Sequence, residues 1–93
     1  MGLKARMRAE RLPEKLKEIR IKLGFSQNEI LKQLKFENIY ERTTISHYEK
    51  GEREPPLPVL LRYARLANIY VEVLIEDEID LPNQIPAPKK LPL

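Results

Sequence analysis

The residues of this chain best equipped to do chemistry stand together at positions 42–51, Arg-Thr-Thr-Ile-Ser-His-Tyr-Glu-Lys-Gly. Ile45 and Tyr48 are three positions apart, and at ~3.6 residues per helical turn they face the same way. The spacing predicts a helix pinned to a core by those two side chains. Arg42, Thr43, Thr44, Ser46 and His47 would then point away from it. A row of guanidinium, hydroxyl and imidazole groups offers hydrogen bonds of both kinds. It suits the base edges of a DNA major groove, which present acceptors, amines and the thymine methyl group. Gly51 supplies the left-handed residue that ends such a helix. Alone, the stretch reads more simply as a short surface helix with solvated polar side chains, so its surroundings must decide.

Other chemistries find little material. The sequence has no cysteine, which removes disulfides, thiol nucleophiles and thiolate metal sites and fits a reducing, cytoplasmic setting. His47 is the single histidine, with no second His and no Cys to complete a metal site. There is no glycine-rich phosphate loop, and the carboxylates of 72–80 fall on an expected solvated face. The expectation is therefore a chain that is not an enzyme and uses no metal and no cofactor. No apolar run approaches the ~20 residues of a membrane span, and the first residues lack the apolar core of a signal sequence.

Charge is spread unevenly. Residues 1–24 carry eight Lys or Arg against Glu10, Glu14 and Glu18, a net of +5, whereas residues 70–81 carry five acids and no base, a net of −5. That layout suits a molecule presenting one end to a polyanion and holding the other away from it.

The elements that would position the 42–51 stretch follow from local signals. Residues 1–11 are a basic arm, able to follow a phosphate backbone or without function. Pro13 suits the first turn of a helix, and Leu16, Ile19 and Leu23 repeat on one face, giving helix 1 at about 13–23, ended by Gly24. Ser26 and Glu29 form a capping box that opens helix 2 at about 27–35, with Ile30, Leu31 and Leu34 inward. Phe36, Ile39 and Tyr40 are too apolar for a free loop, so at least two of them should reach the core. Pro55, Pro56 and Pro58 force an extended connection. Leu60, Leu61, Ala64 and Ala67 then mark helix 4 at about 58–67, with Asn68 as a left-handed stop. Val71, Val73, Leu74 and Ile75 would serve a strand by propensity. With no partner strand evident, a short helix 5 at about 71–76 is expected. Residues 77–93 are acidic and then proline-rich, an extended segment whose Leu81, Ile85, Leu91 and Leu93 either dock on a partner subunit or stay unpartnered.

The order of these elements, with Leu16, Arg20, Leu23-Gly24-Phe25-Ser26-Gln27, Ile30-Leu31, Thr44-Ile45-Ser46, Tyr48-Glu49-Lys50-Gly51, Pro55, Leu60 and Ala64, resembles the lambda-repressor-like (Cro/C1-type, XRE-like) helix-turn-helix family over residues 12–76. The resemblance implies an all-α, five-helix domain flanked by the basic arm and the proline-rich tail. It implies that the helix at Arg42–Lys50 enters a major groove and that Arg42, Thr43, Thr44 and His47 meet base edges. Ser26 and Gln27 would hold a phosphate or orient the reading helix, and Lys50 and Arg53 would touch the DNA backbone. Arg20 and Glu49 match a partly buried ion pair between helix 1 and the end of helix 3. One departure stands out: the connection between helices 2 and 3 is longer than the usual family turn, so the Gln27–Arg42 separation should differ from the family's.

The function expected from all this is a sequence-specific DNA-binding transcription regulator, a repressor-type homodimer on a palindromic operator. Helix 5 and the tail would form the dimer surface. The alternative is an antitoxin or protein-interaction module, with a toxin or other protein as partner, that keeps the fold without base readout.

Overall fold

The computed structural model describes residues 8–85. The expected features of residues 1–7 and 86–93, including Leu91 and Leu93, lie outside the described residues. Five helices follow one another: α1 Leu12–Lys22, α2 Gln27–Gln33, α3 Arg42–Lys50, α4 Leu57–Ala67 and α5 Val71–Ile75. Among the described residues there is no strand, and none of the helices is long and apolar enough to cross a membrane.

Local chemistry explains most boundaries. Pro13 occupies the first turn of α1, where its missing N–H costs nothing. The Ser26 hydroxyl accepts from the Glu29 N–H at 3.0 Å, and the Glu29 carboxylate accepts from the Ser26 N–H at 2.7 Å. Those two bonds hold the Glu29 carboxyl below the usual carboxylate range. Gly51 and Asn68 end α3 and α4 in the left-handed conformation. Helix α2 stops two residues before the expected end because Lys35 turns left-handed, at φ 64°. Helix α4 starts one residue early because Pro56, with extended backbone, already serves as its cap.

The helices bury one continuous core. Leu16, Ile19, Ile30, Leu34, Tyr63 and Leu74 are fully enclosed. Helix α1 packs against both α3 and α5, α2 against α3, and α4 against α5. Leu74 carries α5 into this core, and the stretch is a helix rather than a strand, at Val71–Ile75.

The long α2–α3 connection is folded rather than loose. Phe36 is buried and Tyr40 half-buried, while Ile39 stays exposed. The two rings meet edge-on with centroids 5.3 Å apart. Arg62 of α4 lays its guanidinium 4.4 Å from the Phe36 ring centre and donates to the carbonyls of Leu34 at 2.8 Å and Lys35 at 3.3 Å. The carbonyls at the end of α2 are thereby satisfied by a cation, as helix ends favour.

The acidic segment beyond Glu76 does not stand apart from the basic N-terminal half. Residues 77–85 return to α1, with Leu81 and Ile85 buried in the core. Asp77 accepts from the backbone N–H groups of Glu10 and Arg11, each at 3.0 Å, at the N-terminus of α1 where a carboxylate is favoured. These bonds hold the Asp77 carboxyl below its ordinary value of 3.8. Arg11 pairs with Asp80 at 2.8 Å, so acid and base that are far apart in sequence neutralise one another in space. Lys15, 1% exposed, donates to the carbonyls of Val73, Glu76 and Ile79 at 2.8, 2.9 and 2.7 Å. Burial pushes this ammonium down from the usual lysine range, and the three carbonyls use its three donors.

Two outcomes follow. A left-handed L-residue costs ~1 kcal/mol that glycine avoids, partly offset by glycine's looser unfolded chain; Lys35→Gly should raise stability by about 0.5–1 kcal/mol in urea unfolding, and a loss instead would mean that the lysine side chain carries more than its backbone strain. Because the folded-state pKa of Asp77 is depressed, its contribution is present above the ordinary value of 3.8 and lost as pH falls below it. Asp77→Asn should therefore flatten the fall in stability below about pH 4; a slope equal to that of the parent would refute the docking role.

Candidate nucleic-acid interface

Helix α3 is laid on the core by Ile45 and Tyr48, as their spacing demands, and both are buried. A third residue joins them. Thr44 is buried, and its hydroxyl accepts from the Glu41 N–H at 3.4 Å, closing the first turn. The side chain expected to face a base is thus mostly enclosed by its own domain. A residue ~100° around the helix from Ile45 can share its buried side, and its hydroxyl answers the otherwise unsatisfied amide of Glu41, the residue before the helix. The face left outward carries Arg42, Thr43 and Lys50, with Ser46 and His47 half-buried. Thr43 and His47 are four apart, as are Ser46 and Lys50, so each pair stacks along the helix.

The orientation of that face is set by a chain of polar contacts from α1. Arg20 forks onto Glu49, Nε to Oε2 at 2.6 Å and Nη2 to Oε1 at 3.1 Å, and Nη1 donates to the Phe25 carbonyl at 3.0 Å. The side chains are 14% and 4% exposed. The Glu49 bonds push Arg20 further above its already high range. Gln27, at the first position of α2, donates its Nε2 to Glu49 at 3.2 Å, and its Oε1 accepts from Arg42 at 3.1 Å. Three helices are thus joined in the order Arg20, Glu49, Gln27, Arg42. Gln27 and Arg42 are coupled despite the long connection between α2 and α3. The extra residues are absorbed by a turn in which the Phe36 carbonyl accepts from both Ile39 and Tyr40 N–H at 2.9 and 2.8 Å, so α3 still begins beside α2.

Beneath these contacts Tyr63 is fully enclosed, and its hydroxyl meets no partner among the described residues. Burial pushes the phenol far above the tyrosine range, so it enters the network as a neutral neighbour.

The remaining site residues lie around α3. Ser26 is exposed at the α2 N-terminus with its hydroxyl engaged in the cap. Lys50, the last residue of α3, and Arg53, just past the helix, are exposed. His47 is engaged by a residue outside the expected set: its Nδ1 lies 2.6 Å from Glu52 Oε1. The only local signal for that contact is a carboxylate one place past a helix-ending glycine. Among the described residues no group of three His, Asp or Glu could hold a metal ion.

A family model described as a helix-turn-helix domain matches residues 14–76. The chain belongs to the XRE-like helix-turn-helix family. Within that family, the HTH-type transcriptional regulator ImmR of Bacillus subtilis (strain 168) is 32% identical over 74 residues, covering 78% of this chain and 55% of ImmR. The chain thus spans about half the length of this curated relative. No solved structure matches it significantly. The matched helix-turn-helix residues run from Glu14 to Glu76, through α1 to α5, and include the whole Arg20–Glu49–Gln27–Arg42 chain.

Removing Glu49 should leave the Arg20 guanidinium buried and half-satisfied. Glu49→Leu is expected to destabilise the fold by about 3–5 kcal/mol. The midpoint of chemical unfolding measures it, and a loss below about 1 kcal/mol, the range of surface pairs, would show the pair to be solvated.

Proposed function

We propose that this chain is a sequence-specific DNA-binding regulator of transcription that acts as a homodimer on a palindromic operator, with α3 in the major groove. The observation that carries the reading is the polar chain ending on Arg42. It holds an exposed, hydrogen-bonding helix face at a fixed angle to the core, with the guanidinium at its leading end. Arg42 can pair with guanine O6 and N7, and Thr43 and His47 stand further along the same exposed helix. Lys50 and Arg53 flank the helix as phosphate contacts, and Gln27 with the α2 N-terminus supplies donors for another phosphate. Thr44, mostly enclosed, is left out of this reading. Membership of a helix-turn-helix family and similarity to a protein named as a transcriptional regulator support the reading.

The homodimer has its own support. Leu57 and Tyr70 are about four-fifths exposed, and Leu61, Val71 and Ile75 are exposed beside them. Leu57, Pro58, Leu60, Leu61, Val71 and Ile75 line a groove of about 400 Å³. A patch this apolar favours contact with another surface. Leu81 and Ile85, which the sequence offers to a partner subunit, pack within their own chain. The α4 start and α5 are therefore the proposed dimer face. A pair related by a two-fold axis would set two α3 helices on half-sites ~34 Å apart.

Affinity for a pool of random duplexes, measured against salt and followed by sequencing of the bound fraction, tests the proposal. Affinity should fall steeply with salt, by about 0.9 log unit per log unit of salt for each phosphate neutralised, and the bound fraction should yield a palindrome. Arg42→Ala should relax one base position per half-site, at about 1–3 kcal/mol, whereas Lys50→Ala should weaken all sequences alike. Salt-insensitive or absent binding would overturn the regulator reading in favour of a protein-interaction module.

A further inference from the structure

Glu52 grips His47 twice. The left-handed turn at Gly51, φ 76°, folds the chain back so that the Glu52 N–H donates to the His47 carbonyl at 3.0 Å. The same residue brings its carboxylate to His47 Nδ1 at 2.6 Å. The backbone bond fixes where Glu52 stands, so the side-chain contact is anchored rather than the chance meeting of two mobile surface groups. Room for this turn is limited: a Cβ on Gly51 would lie 3.2 Å from Pro13 Cγ. A carboxylate is an acceptor only. Nδ1 must then carry the proton it donates, and in the neutral ring Nε2 is left with a lone pair.

We propose that Glu52 is a positioning residue for base readout: by holding the Nδ1–H of His47 it leaves Nε2 as an acceptor, which selects a base presenting an amine in the major groove, cytosine through N4 or adenine through N6. The inference rests on the proposed DNA-binding function and deepens it at one residue. His47 lies one turn along α3 from exposed Thr43, on a side chain still 43% exposed, so the ring can reach a partner beyond Glu52. Without Glu52 the ring is free to place its proton on either nitrogen and to donate or accept. A carboxylate beside a DNA-facing helix is itself unfavourable near phosphates, and fixing the histidine tautomer gives it a role in choosing the base.

Binding selection in mildly alkaline buffer tests this on the full chain, comparing the parent with Glu52→Ala, His47→Ala and the double variant. The parent should enrich cytosine or adenine at one position per half-site. Glu52→Ala should lower that preference roughly 3- to 10-fold, the range of one hydrogen bond, while the position read by Arg42 keeps its preference. The double variant should be no less selective at the His47 position than His47→Ala. Thermal unfolding of Glu52→Ala serves as the control for a merely structural role, and the base preference should change whether or not the midpoint moves. An unchanged preference in Glu52→Ala, or guanine or thymine at that position in the parent, overturns the tautomer proposal and leaves the regulator reading standing. Failure of the parent to select any motif overturns both.

Discussion

A guanidinium and a carboxylate enclosed between helices impose a constraint that few apolar contacts can. Arg20 and Glu49 are mostly withdrawn from water, and in that setting each needs the other in a defined geometry. An apolar pair of the same size could slide and still be buried. The fork of Arg20 on Glu49, with the Phe25 carbonyl on its third nitrogen, accepts little change of angle between α1 and α3. The net energy of such a pair is modest relative to an apolar replacement, so its main effect is orientation. Gln27 is drawn in by Glu49 and in turn holds Arg42. The leading edge of the exposed face is thereby registered to the interior of the domain through three side-chain contacts in series.

The same α1 that anchors α3 also anchors the end of the described chain. Its N-terminal amides hold Asp77, and its Lys15 gathers three carbonyls from α5 and the residues after it. Helix α1 is therefore the element on which both the exposed α3 face and the closing segment are built. A helix of eleven residues is short for such a role. It manages because its buried side alternates apolar residues with a lysine whose aliphatic stem fits a core and whose charge can be met by backbone.

The sequence made the local signals plain and the distant ones obscure. The Ser26–Glu29 box, Gly51, Asn68 and the spacing of Ile45 with Tyr48 each act within a turn of helix, and the elements they mark are present. Phe36 and Tyr40 were legible as buried for lack of any other place for their rings. The Arg20–Glu49 pair was available only through family resemblance, since nothing about either residue alone names its partner. The burial of Thr44 is not legible from its polarity, which suggests water; its hydroxyl accepts instead from the Glu41 amide at the helix start. Lys15 and Asp77 could not be read at all. Lysine is seldom enclosed, and an aspartate sixty-six residues from the amide it binds leaves no mark in the chain between them. The left-handed Lys35 was hidden for a similar reason: the α2 end and Phe36 dictate that conformation from outside the residue.

The Lys15 ammonium also bears on how the molecule opens. Three carbonyls spread over residues 73–79 share a single cation. Freeing any one of them leaves the ammonium buried with a donor unmatched, so partial peeling is opposed at every step. The segment should detach as one cooperative unit or remain closed, and its amides should exchange with those of α1 instead of fraying ahead of them as ends of chains commonly do. A single enclosed charge thus makes the margin of this small domain part of its centre.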